Sequence, residues 1–517
     1  MRTILLAALL TSATAHAGKG AGVMQVPLPD SWSIDASGAS ADVPWWDAIG
    51  DPGLTAAIQD ALDANHDIGA AKARIRQADA LAFQNLSALL PRLSFDTSLS
   101  GQSAEAFAAR LGFLEADDLP DFTYSGSSQF NAALGLDLFG ASTLNYQAAK
   151  QDKLASIDDQ AELSLFTAQR VATAWLDLAL ATERLRLLDE QVGINEQLLE
   201  LTELRFSRGE GTAVDVLQQR QQLEATRASI PLVEAGRLIS LQQLAVLTGR
   251  TPDQPPAMLP VGLPAIPAAV GLGSPSDLEA ARPDLRASER RLTSSWQRRM
   301  SSERAFLPTF GLSFGAGWTF ANTQRINFGG GGGLDFPILF DNAFTELQRS
   351  IADGDDADFS NITDGATLPP TPTTVEFDSV FAWNVGAQIS VPIFDGGLTI
   401  GRLRQARAAE AAAAHTLEQT KLNAMQEVET ARASTIGQRD RMTAVQSQAD
   451  SARKAFETAR DRYADGIGDY LTLLSTLLSS QSADLTVLQS WRDTLGADIQ
   501  LRDALGGSWT KTLGGSR

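Results

Sequence analysis

The sequence predicts an α+β membrane protein: a tandem-duplicated chain whose strands belong to a transmembrane β-barrel shared between copies, and whose helices belong to a hollow α-helical cylinder. Three observations predict it. The chain contains an internal repeat, it carries four segments of strict period-two alternation, and two proline-free helical segments each run for about sixty-five residues.

The repeat is direct. Arg205-Phe206, Gly209, Gly211, Leu217, Leu238, Gln243, Leu244 and Gly249 recur as Arg462-Tyr463, Gly466, Gly468, Leu474, Leu495, Gln500, Leu501 and Gly506, at one offset (462 − 205 = 257). Upstream, Asp67, Ala70, Arg74, Ala88, Leu90 and Pro91 recur as Asp284, Ala287, Arg291, Ala305, Leu307 and Pro308, at another (308 − 91 = 217). The difference, 257 − 217 = 40, requires an insertion of about forty residues in the second copy. Each copy reads helix, strand, strand, long helix, shorter helix. The resulting domains are 53–250 for the first repeat, with its hairpin at 91–139, and 277–507 for the second, with its hairpin at 308–394. A Pro-rich linker spans 251–276 and a C-terminal tail 508–517.

Ahead of the first repeat, Arg2, the apolar run Ile4 to Leu10 and Ala15-His16-Ala17 have the pattern of an export signal over 1–17, followed by an extended segment at 18–52. No later stretch holds the roughly 18 to 20 consecutive apolar residues of a membrane helix, which leaves a β-barrel open. The 517 residues contain no cysteine, so neither a disulfide nor a cysteine-borne lipid is available. A formal charge of −20 disfavours nucleic acid, because duplex binding needs cations to replace counterions.

The strands come in pairs. Leu93, Phe95, Thr97 and Leu99 form the first run, and Phe130, Ala132, Leu134, Leu136 and Leu138 the second. Phe310 to Phe320 forms the third at even positions, and Phe381, Trp383, Val385, Ala387, Ile389, Val391 and Ile393 the fourth. Runs of about ten residues, apolar on one face and small or polar on the other, fit a barrel with lipid outside and water inside; soluble hairpins are the alternative. Known outer-membrane barrels have at least eight strands, so four must be completed by other copies, eight in a dimer or twelve in a trimer. The connecting loops are predicted at Gly101 to Ser127 and at 321–379, where the acidic, Gly-rich insertion lies.

Long helices are predicted from Ala141 to Phe206 and from Leu398 to Tyr463, about 100 Å each at 1.5 Å per residue. Leu154, Ile157, Ala161, Ser164, Ala168, Val171, Trp175 and Leu178 step by three and four, as a coiled-coil seam does. Shorter helices are predicted at Leu54 to Leu89, Ala213 to Leu247, Asp277 to Phe306 and Tyr470 to Leu505. Stacked in pairs they match a long helix, with turns at Arg208-Gly209-Glu210-Gly211 and Asp465-Gly466-Ile467-Gly468 at the far tip.

Together these parts resemble the TolC-type outer-membrane factor family, and its branch serving resistance-nodulation-division pumps. The resemblance rests on Trp45-Trp46 with Asp51-Pro52, Ala88-Leu89-Leu90-Pro91, Leu138-Phe139-Gly140, Arg282-Pro283-Asp284-Leu285, Phe394-Asp395-Gly396-Gly397 and the two tip turns with Tyr470 to Leu474. It covers Trp45 to Trp509. It implies a homotrimer with a twelve-stranded barrel in outer-membrane lipid and a twelve-helix α-barrel in the periplasm of a Gram-negative cell. A periplasmic adaptor and an inner-membrane pump would be the partners, and transport without a cofactor or catalysis the activity. The same channel wall could serve a type I protein exporter, and a non-conducting periplasmic scaffold is a third reading.

The resemblance also places site residues. The adaptor would meet the turns at Arg205, Gly209, Gly211, Arg462, Gly466 and Gly468. Acidic residues narrow the family's pore at this tip; Asp215 matches one such position, while Ser475 stands where a second Asp is usual, leaving Asp469 as its replacement. Helix capping is the alternative role for both aspartates. The absence of an acylated cysteine implies anchorage by the barrel alone. Other signals carry less. Gly311-Leu312-Ser313-Phe314-Gly315 has the spacing of a hydrolase nucleophile elbow but continues a strand. Gly329 to Gly333 lacks the Lys-Ser/Thr of a phosphate loop, and His66 and His415 alone make no transition-metal site.

Overall fold

Capping residues and prolines decide where the helices of this chain begin and end. The computed structural model describes residues 29, 31–34, 44–103, 122–256, 258–324, 375–507 and 509–513; the predicted signal peptide and most of both strand-joining loops lie outside them. The chain divides into two units. One holds the helices, and the other, Ser87–Leu138 with Leu307–Pro392, holds the sheet.

In the helical unit, α1 (Trp45–Ile49) is followed by α2 (Pro52–Ala64), α3 (His66–Ser87), α4 (Ala141–Ser207) and α5 (Ala213–Leu247). The second copy supplies α6 (Leu278–Ala281), α7 (Pro283–Arg304), α8 (Leu398–Ala464) and α9 (Tyr470–Leu505), and α10 (Thr510–Leu513) closes the described chain. Both long helices have 67 residues, and each starts after a glycine at positive φ, Gly140 or Gly397.

The helix predicted over Leu54 to Leu89 is broken at Asn65, and that over Asp277 to Phe306 at Arg282. These are equivalent positions in the repeat (282 − 65 = 217). Asn65 starts α3 by accepting hydrogen bonds from the amides of Asp67 (2.9 Å) and Ile68 (3.4 Å) through Oδ1, and its Nδ2 donates to the Leu247 carbonyl at 3.0 Å. In the second copy Pro283 occupies the first position of α7, and Arg282 Nη1 donates to the carbonyl of Ala504, the counterpart of Leu247, at 2.8 Å. Each break is thus tied to the end of its copy's shorter helix.

The core of the unit follows the predicted seam. Ala161, Ser164, Ala168, Val171, Trp175 and Leu178 are buried, whereas Leu154 and Ile157 are half-buried. Trp45, Trp46, Leu54, Ile58, Leu244 and Trp509 close over this stretch of α4. Asp51 explains the Trp-Trp…Asp-Pro tag. Its Oδ1 caps α2 through the Gly53 and Leu54 amides, and its Oδ2 accepts from Trp175 Nε1 at 2.9 Å. The tail is part of the packing, since Trp509 and Thr510 are buried and Gln160 donates to the Leu513 carbonyl. The Pro-rich linker is irregular yet fixed. Its free carbonyls accept from Trp491 at Pro264, from Arg439 at Pro267 and from Arg502 at Ala268, while Val270 and Leu272 enter a second core with Val428 and Leu501.

The sheet unit is one antiparallel sheet in the order β1 (Arg92–Ser103), β2 (Phe122–Leu136), β3 (Thr309–Gln324) and β4 (Val375–Ser390). Its register lines up the predicted faces. Phe95, Phe130, Ala316 and Trp383 form one cross-strand row, and Leu93, Ala132, Phe314 and Val385 the next. The large residues of this face, among them Phe95, Trp318, Phe381, Trp383 and Val385, are exposed. On the other face Asn131 Nδ2 donates to Asp96 at 2.9 Å, and the hydroxyls of Ser98 and Ser127 pair at 2.9 Å. The strands reach beyond the predicted loop bounds, to Ser103 and from Phe122, and to Gln324 and from Val375, because pairing continues through the serines and Gly101. They also stop earlier at their other ends. Leu138, Val391 and Ile393 keep the alternation but lie outside strands, and Pro392 has no N–H to extend β4.

Candidate functional site

The two helix turns expected to form the tip come together in the helical unit, and the repeat gives them the same backbone. After α4, Gly209 takes φ +78° and the Glu210 amide donates back to the Arg205 carbonyl at 2.9 Å. After α8, Gly466 takes φ +80° and the Ile467 amide donates to the Arg462 carbonyl at 3.0 Å. Only these first glycines need the left-handed region. Gly468 is required for a different reason: a Cβ there would sit 3.0 Å from the Tyr463 backbone nitrogen, and Gly211 has looser surroundings.

The next helices open with caps that the two copies build from exchanged residues, a reciprocal capping box in the first copy and a one-sided cap in the second. Thr212 Oγ1 accepts from the Asp215 amide at 3.2 Å, while Asp215 Oδ2 accepts from the Thr212 amide at 2.9 Å. Adding 257 gives Asp469 and Thr472. There Asp469 Oδ1 accepts from the Thr472 amide at 2.8 Å and its Oδ2 from the Thr472 hydroxyl at 2.7 Å. Hydrogen bonds from that hydroxyl and amide hold the Asp469 carboxyl below its ordinary value. Both aspartates therefore cap helices. Asp469 is exposed and Asp215 half-buried, so each still places negative charge at the turns.

Equivalence ends at the arginines. Arg205 lies over the Tyr463 ring, 4.4 Å from its centroid, and its Nη1 donates to the Tyr463 carbonyl. Its counterpart Arg462 is exposed, as is Phe206, the counterpart of Tyr463. Behind Tyr463 lies a polar chain that sequence reasoning missed. The Tyr470 hydroxyl donates to Gln219 Oε1 at 3.2 Å, Gln219 Nε2 donates to Asn195 Oδ1 at 3.1 Å, and Asn195 Nδ2 donates to Thr226 at 3.2 Å. Gln219 and Asn195 are fully buried, so the chain fixes α9 against α4 and α5. Burial first, then the nearby Asp215 charge, pushes the Tyr470 hydroxyl above its ordinary value. One signal was available: two of the chain's four tyrosines flank a single turn.

Beside this turn, α8 and α9 leave a groove lined by Lys454, Thr458, Arg462, Ile467, Asp469 and Thr472. Among the described residues no group of histidines and acids is arranged to hold a metal. The site offers two helix turns, charge and a groove.

Paired long and broken helices joined by glycine turns, with a four-stranded antiparallel sheet inserted as two hairpins, define an outer-membrane channel fold. The outer-membrane channel OprN superposes with a TM-score of 0.74 at 24% identity, covering 94% of this chain and 99% of that one. The open-state MtrE channel of Neisseria gonorrhoeae does so at 0.72 and 21%, covering 94% and 97%. The chain belongs to the outer membrane efflux protein family, which it matches over residues 57–250 and 274–507. Among its relatives, the pyoverdine export outer membrane protein OpmQ of Pseudomonas putida is 29% identical over 506 residues, 94% of this chain and 93% of the relative. OprJ of Pseudomonas aeruginosa is 26% identical, over 93% and 91%. The chain is thus an outer-membrane channel of a tripartite efflux system, working with an adaptor and an inner-membrane pump.

Proposed function

We propose that three copies of this chain form the channel, with a twelve-stranded barrel and a twelve-helix tunnel, and that it passes small molecules delivered by a resistance-nodulation-division pump. The observation that carries the assembly is the half-used tip. Arg205 is seated on Tyr463 within the chain, whereas Arg462 and Phe206, related to that pair by the repeat, are both exposed and would be joined by the next copy. The helix order argues the same way. Within the chain α9 packs broadly on both long helices, α8 and α4, whereas of the two long helices α5 packs broadly on α4 only. The repeat therefore calls for α8 of one copy against α5 of the next, which would cover Leu217, Leu238, Ile239 and Val246, exposed on α5. That apolar face also makes α5 the described helix long and apolar enough to cross a membrane by length and composition; a tunnel wall accounts for it without a membrane.

In this reading the exposed apolar face of the sheet meets lipid and the serine- and asparagine-lined face meets water. The adaptor engages the groove between α8 and α9 and the turns at Arg205, Gly209, Gly211, Arg462, Gly466 and Gly468. Three copies of Asp215 and Asp469 concentrate negative field at a narrow opening. The cargo class follows relatives whose names give pyoverdine export and toluene efflux.

The test is genetic and chemical. Deletion should sensitise cells to dyes, detergents or solvents without loss of a secreted protein, and a photo-crosslinker on a cysteine introduced at the exposed Ile467 of the second turn should capture a pump adaptor in living cells. Capture of the adaptor of an ATP-driven protein exporter would replace efflux with secretion.

A further inference from the structure

The Arg282-Pro283-Asp284 tag is not used by the channel reading, yet it sits at the most crowded charge cluster of the helical unit. Arg282 Nε and Nη2 bind both oxygens of Asp284 at 3.0 and 2.8 Å. Nη2 also donates to Glu427 on α8 at 2.8 Å, and Nη1 donates to the Ala504 carbonyl at the end of α9. One guanidinium thus clamps α7, α8 and α9 together, and its donors are spoken for.

A third carboxylate is left over. Asp503 stands on α9 beside Ala504, and its Oδ1 is sealed from solvent without a hydrogen-bond partner. The groups facing it are Arg282 and Asp284 at the start of α7, Glu427 on α8 and the Trp45 indole from α1, whose own N–H also lacks a well-placed partner. Arg282, Asp284, Glu427 and Asp503 line a cavity of about 680 Å³, which Glu162 of α4 also borders. Four carboxylates around one guanidinium leave an excess of negative charge in a partly enclosed space, and an ionised Asp503 gains no cation of its own.

The first copy shows that the fold does not need this charge. There the same helix ends are tied by the neutral bond from Asn65 to Leu247, and the positions of Asp503 and Glu427 are held by Val246 and Arg170 (503 − 257 = 246; 427 − 257 = 170).

We propose that Asp503, Glu427 and Arg282 form a proton-sensitive clamp, closed when Asp503 carries a proton and loosened when it ionises. In the neutral form the acid leaves Arg282 to Asp284, Glu427 and Ala504. In the ionised form it repels Glu427 and Asp284 and competes for the guanidinium, so the α9 terminus is less firmly held to α7 and α8. Burial pushes the Asp503 carboxyl up to about 7; Arg282 pulls the other way and Glu427 adds to the rise. The value is raised above that of an unfolded aspartate, so the folded chain holds the proton more tightly. The stabilisation is full below the ordinary carboxylate range, declines as pH rises through it, and is gone above about 7.

Hydrogen exchange on the full-length protein in detergent tests the clamp, reading the amides from Arg502 to Gly506 after correction for intrinsic rates. From pH 6 to 8 their opening should increase about tenfold in the native chain, the factor set by one proton lost at a midpoint near 7. Asp503→Asn should remove the dependence. Glu427→Gln, which keeps Asp503 but removes a neighbouring negative charge, should move the midpoint to lower pH, and it serves as the test if Asp503→Asn does not assemble. A native chain with flat protection between pH 6 and 8 overturns the proposal, as does an unchanged slope in Asp503→Asn or an unmoved midpoint in Glu427→Gln.

Discussion

Arg205 does two things at once: it stacks on Tyr463 and hydrogen-bonds to that residue's carbonyl, so it joins the ends of α4 and α8. If the tip is a gate, Arg205→Ala should raise the conductance of purified channels in planar bilayers. Arg205→Lys should do so nearly as well, because an ammonium has no planar face to stack. The tip aspartates carry separable roles. Asp215→Ala removes half of a capping box, and about 1 kcal/mol of helix-start stability should go with it. Asp215→Asn with Asp469→Asn keeps most of the capping and should lower cation preference; unchanged selectivity would leave both residues as caps alone. Because hydrogen bonds depress the Asp469 carboxyl, its contribution is present at neutral pH and is lost as pH falls through and below the ordinary carboxylate range, so acid should fray the first turn of α9. The turns and both aspartates could be read from the sequence, since glycine and capping chemistry are local. The chain from Tyr470 through Gln219 to Asn195 could not, because it exists only once three helices meet.

At the scale of elements, two close backbone contacts fall where a helix end lies against a helix break. A Cβ on Gly249 would fall 2.5 Å from the Ala64 carbonyl oxygen, and one on Gly506 2.9 Å from that of Ala281, equivalent pairs in the two copies. Both glycines also hold positive φ, +75° and +64°. Gly50, at +73°, has nothing within 4 Å of its would-be Cβ. Gly50→Ala should cost only the left-handed strain, roughly 1–2 kcal/mol, whereas Gly249→Ala should cost clearly more, read as the thermal midpoint of the helical circular-dichroism signal. Equal losses would mean that the backbone contact relaxes freely. Helix and strand existence was legible because periods of 3.6 and 2 are written in the apolar residues. The breaks at Asn65 and Arg282 were missed although each has a local signal, a capping asparagine and the residue before Pro283; the bonds to the distant Leu247 and Ala504 carbonyls that hold the breaks in place appear only in the fold. Strand ends were misplaced for a related reason, since polar serines continue pairing wherever a neighbouring strand supplies the ladder.

For the whole molecule, the repeat is the feature with the widest consequences. A chain with two copies of one design has contacts used once internally and left unused at its flanks: among the described residues β1 and β4 each have one strand neighbour, α5 packs broadly on one long helix where α9 packs on two, and Arg462 and Phe206 lack the pairing that Arg205 and Tyr463 have. Such flanks fit a ring of copies, and we propose that three copies close it. Because the chain has no cysteine, introduced pairs report without background. Disulfide trapping across the open sheet edges tests the claim most directly: Asp96→Cys on β1 combined in turn with cysteines at Ala382, Asn384 and Gly386 on β4, oxidised in intact cells. One pair in this ladder should convert the chain to covalent trimers on denaturing gels, with dimers as partial products. A ladder that yields only dimers at completion, or no crosslink in any register from a folded outer-membrane fraction, would contradict a ring of three.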